Sequence, residues 1–208
     1  MTQEVQVAMP PLDLETSLRA KRELGRMLGV HGPPSERGLQ LADGFVHLVE
    51  KCVLEYQASR ERLIEFMRDG YADDQFRARD HFETSAHALH RAIEYLDRLR
   101  QLGFRRSDGA PFIPRPRDLA LLRESVRQKV RDVRDHIEHL DQDIVAGLYG
   151  ASTRVGLHMG RDRVTIAGVE ILYADFVAWV AQLHHFAALL SRVEIIVSDP
   201  IDAGGDPL

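Results

Sequence analysis

An apolar residue recurs every three or four positions along residues 119–144, and this spacing constrains the fold more than any other feature of the chain. The series comprises Leu119, Leu122, Val126, Val130, Val133, Ile137, Leu140 and Ile144. Such spacing forms one apolar stripe along an α-helix, and the stripe must be covered by a core or by another helix. The sequence therefore predicts a long helix from Pro116 or Arg117 to about Leu148, since proline is accepted at the first helical positions.

Three further long helices are predicted from similar patterns. One begins after Ser35, the expected N-cap, and runs to about Asp69, where Gly70 ends it. The next begins near Asp73 or Asp74 and runs to about Leu102. The last begins near Tyr173. Its apolar positions are Phe176, Val180, Leu183, Ala187 and Leu190.

Between the third and last long helices the period changes from helical to alternating. Val155, Leu157 and Met159 alternate with smaller or polar residues, and Val164 and Ile166 do so after a turn-forming segment. This pattern is typical of a β-hairpin, and a further short strand is expected around Val169 and Ile171.

The expected fold is mainly α, a bundle of four long helices with a small β-hairpin inserted before the last one. The predicted boundaries are a peripheral N-terminal segment with a short helix over residues 1–34, a helical domain over 35–198 with its hairpin at about 153–171, and a loose tail over 199–208.

Composition narrows the class of protein. The chain has 208 residues, one cysteine (Cys52), and no apolar run near the roughly 20 residues that span a bilayer. We therefore expect a cytoplasmic protein without a membrane partner. The net charge is −5, although the stretch from Arg98 to Arg134 holds ten arginines and could contact phosphates.

The candidate functional motif is Arg134-Asp135-His136-Ile137-Glu138-His139. A histidine can act as acid or base at cellular pH, and an arginine can hold a phosphate and stabilise the charge that develops on it. An RNA 2′-hydroxyl can attack the adjacent phosphodiester with such help, so the scheme requires neither a metal nor another cofactor.

The spacing of Arg134 and His139, with the polar Asp135 after the arginine, resembles the R-x(4–6)-H motif of the HEPN superfamily (higher eukaryotes and prokaryotes nucleotide-binding). The helical outline from Phe45 to Leu190 resembles that family too. The resemblance implies a homodimer whose cleft is lined by Arg134 and His139 of both chains. It also implies RNA or nucleotide as ligand, and a metal-independent endoribonuclease of toxin or defence type. It further implies an antitoxin protein as a partner, although Asp141 stands where toxins of this family that pair with an antitoxin often carry tyrosine.

The motif region contains a second, overlapping register, Arg131 with His136. We favour Arg134 and His139, with Asp135 as the supporting polar residue. Arg134 and His139 lie about 140° apart on an ideal helix, so they converge only if the helix bends or a second chain contributes. The other residues that could complete the cleft are Glu83, His87, His90, Arg131 and His136.

Two alternatives use the same region. One is a catalytically inactive HEPN-like module that binds RNA, a nucleotide or a protein. The other is a metal-dependent helical bundle, in which a stripe of histidines and carboxylates on each of two helices would supply the ligands. These stripes are Glu83, His87, His90 and Glu94 on the second long helix, and Asp132, His136, His139 and Asp143 on the third.

Overall fold

The computed structural model describes residues 8–27, 35–105, 110–115, 118–149 and 155–191. The predicted tail over 199–208 and the expected helix start at Pro116 or Arg117 lie outside these ranges. The described chain is mainly helical, with long helices and a small sheet before the last of them, as expected from the sequence.

Two long helices form the frame of the molecule. Helix α2 spans Glu36–Asp69 and helix α3 spans Ala72–Gln101, so only Gly70 and Tyr71 separate them. At the start of α2 the Ser35 hydroxyl accepts a hydrogen bond from the Gly38 N–H at 3.1 Å. At its end Gly70 has φ 75° and its N–H donates to the Phe66 carbonyl at 2.8 Å. The predicted cap and stop of this helix are therefore confirmed, and the short connection folds α3 back along α2.

The last helix, α6, spans Tyr173–Ser191 and closes the core against this frame. Its Phe176 ring stacks on Tyr56 of α2 with centroids 5.6 Å apart. The same ring lies 4.9 Å from the ring of Phe82 on α3. All three side chains are fully buried, so one aromatic cluster joins three helices.

The region predicted as one long third helix is divided. A 3-10 turn spans Ala120–Leu122, helix α4 spans Glu124–Glu138, and a short helix α5 spans Leu140–Val145. Arg123 between the first two has ψ 140°, an extended conformation that stops the helical ladder. The turn allows Leu121 and Leu122 both to enter the core, which adjacent residues of one regular helix could not do on a narrow stripe.

The strands form a three-stranded antiparallel sheet in the order β1-β2-β3. Their bounds are His158–Met159, Arg163–Ile166 and Val169–Leu172. The predicted hairpin is thus present and the further strand pairs with it. Val164 lies opposite Ile171 and both are buried, so one face of the sheet covers the helices.

The two-residue turn between β2 and β3 contains the only positive φ of a non-glycine residue in the described chain. Ala167 has φ 46° and Gly168 has φ 84°, the backbone of a type I′ turn.

Asparagine adopts this conformation more readily than alanine. Ala167→Asn is therefore expected to stabilise the protein by about 0.5–1 kcal/mol, measured as the free energy of unfolding in urea. A Cβ on Gly168 would meet no atom within 4 Å. Gly168→Ala should therefore destabilise through the backbone alone, and stabilisation by Gly168→Ala would contradict this account.

The N-terminal part described by the structure lies against α2 and α6. Helix α1 spans Leu18–Met27, and Met9, Leu12 and Leu18 are buried in the core. Arg22 is also buried; its guanidinium pairs with Asp43 and donates to the Leu190 carbonyl at 2.8 Å. Among the described helices, none combines the length and the apolar character that crossing a bilayer requires.

Candidate functional site

The candidate site lies along the seam where α4 packs beside α3. Arg134 is in the last turns of α4, with its side chain about 29% exposed. One guanidinium nitrogen, Nη1, pairs with Glu138 Oε2 at 3.0 Å, and Nη2 pairs with Asp135 Oδ1 at 2.5 Å. The Nε atom is buried without a hydrogen-bond partner. Carboxylates therefore hold both terminal nitrogens of the guanidinium, while its Nε–H donor has no partner among the described residues.

Glu138 connects the two helices of the seam. Its Oε1 atom lies 3.5 Å from His87 Nδ1 on α3, while its Oε2 atom contacts Arg134. The contact with Arg134 is local, because residues four apart lie on the same face of a helix. The contact with His87 comes from the packing of α3 on α4, which no spacing along the chain could have predicted.

Two other predicted support residues lie on α3 next to this contact. His90 is buried, with Glu94 3.9 Å from its ring. Glu83 is one turn before His87 and lies 3.7 Å from Arg79 Nε. The structure thus places Glu83, His87 and His90 along one helix, with His87 in contact with α4.

His139 lies at the interruption between α4 and α5. Its φ of −114° and ψ of 26° are not helical, whereas its N–H still donates to the Asp135 carbonyl at 2.8 Å. The side chain is exposed and has no hydrogen bond or ion pair among the described residues. No such contact joins Arg134 to His139 within this part of the chain. The imidazole is therefore accessible from solvent beside the seam.

The overlapping register has a different environment. His136 Nδ1 lies 2.5 Å from Asp143 Oδ2, and both side chains are largely buried. This pair ties α4 to α5 across the helix interruption. Arg131 is bonded to the Gln128 side chain at 3.0 Å. His136 consequently has a structural partner that His139 lacks in the described chain.

Burial is the largest cause of the pKa shifts of three side chains on α3, those of Glu83, His87 and His90. Partial burial lowers the pKa of His87 below 6.5; the Glu138 carboxylate raises it, and the Arg134 and Lys51 charges lower it. Burial likewise lowers the pKa of His90, with Glu94 opposing this effect. For Glu83, burial raises the pKa and the Arg79 charge lowers it. Near neutral pH the lowered pKa values favour the uncharged form of both histidines.

These shifts predict how stability depends on pH. A histidine whose pKa is lower in the folded state favours folding when it is neutral, so stability falls as pH drops below 6.5. The urea midpoint of the natural chain is expected to fall between pH 7.5 and pH 5.5. The double variant His87→Gln, His90→Gln should show a smaller fall. The control is His47→Gln, exposed on α2, and equal falls in all three proteins would refute the assignment.

The two histidine–carboxylate stripes do not form a metal centre in the described part of the chain. Among these residues no group of three or more His, Cys, Asp or Glu side chains has a geometry that could hold a metal ion. His87 instead contacts Glu138, and His136 contacts Asp143. One histidine of each stripe is therefore paired with a carboxylate, His87 across the seam and His136 across the helix interruption.

Comparison of the chain with known protein families, curated proteins and solved structures finds no match.

Proposed function

We propose that this protein is an HEPN-like, metal-independent endoribonuclease in which Arg134 holds the scissile phosphate and His139 transfers a proton. The observation that supports this most is the helix interruption at His139. It exposes the imidazole five residues after an arginine that lies in the α3–α4 seam. A bend at this position was one of the two conditions under which the motif residues could converge.

The chemistry follows from the two side chains and from the RNA itself. The 2′-hydroxyl oxygen attacks the adjacent phosphorus as His139 takes the hydroxyl proton. Arg134 stabilises the extra negative charge on the phosphoryl oxygens. The bond from phosphorus to the 5′-oxygen breaks, and a proton from an imidazolium or from water reaches the leaving oxygen. The products are a 2′,3′-cyclic phosphate and a 5′-hydroxyl.

A second copy of the chain is part of the proposal. Beside His139, three apolar side chains are exposed: Ile144 and Val145 of α5, and Leu148 three residues after its end, with exposed fractions of 47%, 90% and 56%. The apolar stripe that is buried at Val130 and Val133 is therefore uncovered at its end. Packing of this end against the same segment of a partner would bring Arg134 and His139 of two protomers to one cleft.

A catalytically inactive RNA- or nucleotide-binding module is the second candidate, and one observation favours it. The Arg134 guanidinium forms ion pairs with two carboxylates, those of Asp135 and Glu138. A phosphate must displace at least one of them, and this competition lowers the affinity of the arginine for phosphate. In this alternative the seam binds its ligand without positioning it for attack.

The two candidates are separated by a pair of matched oligonucleotides. The proposal predicts cleavage of an RNA oligonucleotide, with a 2′,3′-cyclic phosphate end detectable by mass spectrometry. The same oligonucleotide with a single 2′-deoxy substitution at the cleaved position should bind equally and remain intact. Cleavage of the 2′-deoxy substrate would refute the mechanism, and binding without cleavage of either would favour the inactive module.

A further inference from the structure

An apolar groove of about 470 Å³ lies near the start of α3, at Gln75, between the end of α2 and the turn joining β1 to β2. Leu63, Phe66 and Met67 of α2 form one wall and Met159 of β1 forms the other. Its volume lies within the range of about 300–1,000 Å³ typical of small-molecule sites. Such a surface fits an aliphatic group rather than a sugar or a base edge.

Hydrogen bonds to backbone carbonyls hold the walls of this groove in place. Ala8 lies at its edge, and the segment that follows is fixed to α2 because Arg60 Nε donates to the Met9 carbonyl at 2.9 Å. On the opposite side the Gly160 N–H donates to the Arg163 carbonyl at 2.8 Å, and the Tyr173 hydroxyl donates to the Gly160 carbonyl at 3.3 Å. The groove is therefore formed before any ligand binds.

One positively charged residue, Arg161, is among those that line the groove. Arg161 lies in the β1–β2 turn and is exposed. The neighbouring carboxylate of Asp162 is already engaged by Arg163, whose Nε and Nη2 donate to its two oxygens at 3.0 and 3.1 Å. Arg161 forms no ion pair with any residue that the structure describes. An apolar wall with one available cation at its edge is complementary to a single-chain amphiphile with an anionic head.

We propose that this groove binds a free aliphatic carboxylate of medium chain length. The chain lies against Phe66, Met67 and Met159, and the carboxylate pairs with Arg161. Methionine side chains suit this use because they adapt to flexible aliphatic ligands. The site is separate from the seam around Arg134 and does not depend on the ribonuclease proposal.

Isothermal titration calorimetry with hexanoate, octanoate and 1-octanol tests the proposal on the full chain. Each added methylene should tighten binding about fourfold while it is covered by the groove. Arg161→Gln should weaken octanoate about fivefold, the scale of one exposed ion pair, and leave 1-octanol unchanged. The matched control is Arg91→Gln, an exposed arginine of α3 about 24 Å along the helix from Gln75.

The apolar wall is tested separately with Met67→Glu, since this side chain is 50% exposed and its replacement leaves the core intact. Both ligands should bind more weakly to it. Met27→Glu, on α1 and 84% exposed, is the control and should bind both as the natural chain does. The absence of octanoate binding to the natural chain would overturn the proposal. Octanoate binding that neither Arg161→Gln nor Met67→Glu weakens would also overturn it.

Discussion

Arg134→Ala and His139→Ala are each expected to lower the rate of RNA cleavage by at least about 100-fold. Loss of a general acid or base costs about 10²–10⁴ in rate, and loss of a donor that stabilises transition-state charge costs about 10²–10³. The effect on binding should differ between them, because Arg134 contacts the phosphate in the ground state as well. Arg134→Ala should therefore raise KM and lower kcat, whereas His139→Ala should lower kcat alone.

Because His139 is exposed, its replacement should change activity without changing stability. Its side chain has no partner among the described residues, so His139→Ala should retain the natural thermal unfolding midpoint. Arg131→Ala is the matched control for Arg134→Ala, since Arg131 belongs to the overlapping register and bonds only the Gln128 side chain in the described chain. Loss of cleavage in Arg131→Ala with activity retained in Arg134→Ala would assign the chemistry to the other register.

Phe176→Ala is expected to destabilise the protein by about 3–5 kcal/mol, the cost of removing a buried aromatic ring and leaving a cavity. The ring is fully buried between Tyr56 and Phe82, so three helices lose contacts at once. For a chain of this length the thermal midpoint should fall by roughly 6–20 °C. Differential scanning calorimetry measures both quantities.

The matched control for this variant is Phe76→Ala on α3, where the ring is 54% exposed. A substitution away from the core should change the free energy of unfolding by no more than about 0.5 kcal/mol. If Phe176→Ala and Phe76→Ala were equally stable, the aromatic cluster would not be the centre of the core.

The ends of α2 were predictable because single residues determine them. Ser35 satisfies a free N–H at the start of the helix, and Gly70 adopts a positive φ that other residues resist. The sheet was predictable for a similar reason, since Val164 and Ile166 alternate with polar residues over one short strand. Such local signals act within a few residues and need no tertiary information.

The division of the third helix was not predictable from its apolar stripe. Periodicity records which side of the chain is buried, and it continues across a break in the hydrogen-bond ladder. Arg123 is extended and His139 is non-helical, yet the stripe from Leu119 to Ile144 passes through both. The break at His139 is accompanied by the partly buried pair of His136 and Asp143, which are seven residues apart in the chain.

The candidate site was predicted residue by residue but not as an arrangement. Arg134 and His139 were identified from their motif, whereas the bridging role of Glu138 depends on how α3 and α4 are aligned. Side-chain contacts between helices are set by packing, which one helix's sequence does not specify.

The most direct test of the central claim is incubation of the natural chain with a mixed RNA pool in the presence of excess EDTA. The ribonuclease proposal predicts that cleavage continues at its full rate, because the RNA supplies the nucleophile and the protein supplies only Arg134 and His139. Cleavage that stops with EDTA and returns with added divalent metal would contradict the proposal, and so would the absence of cleavage at every protein concentration.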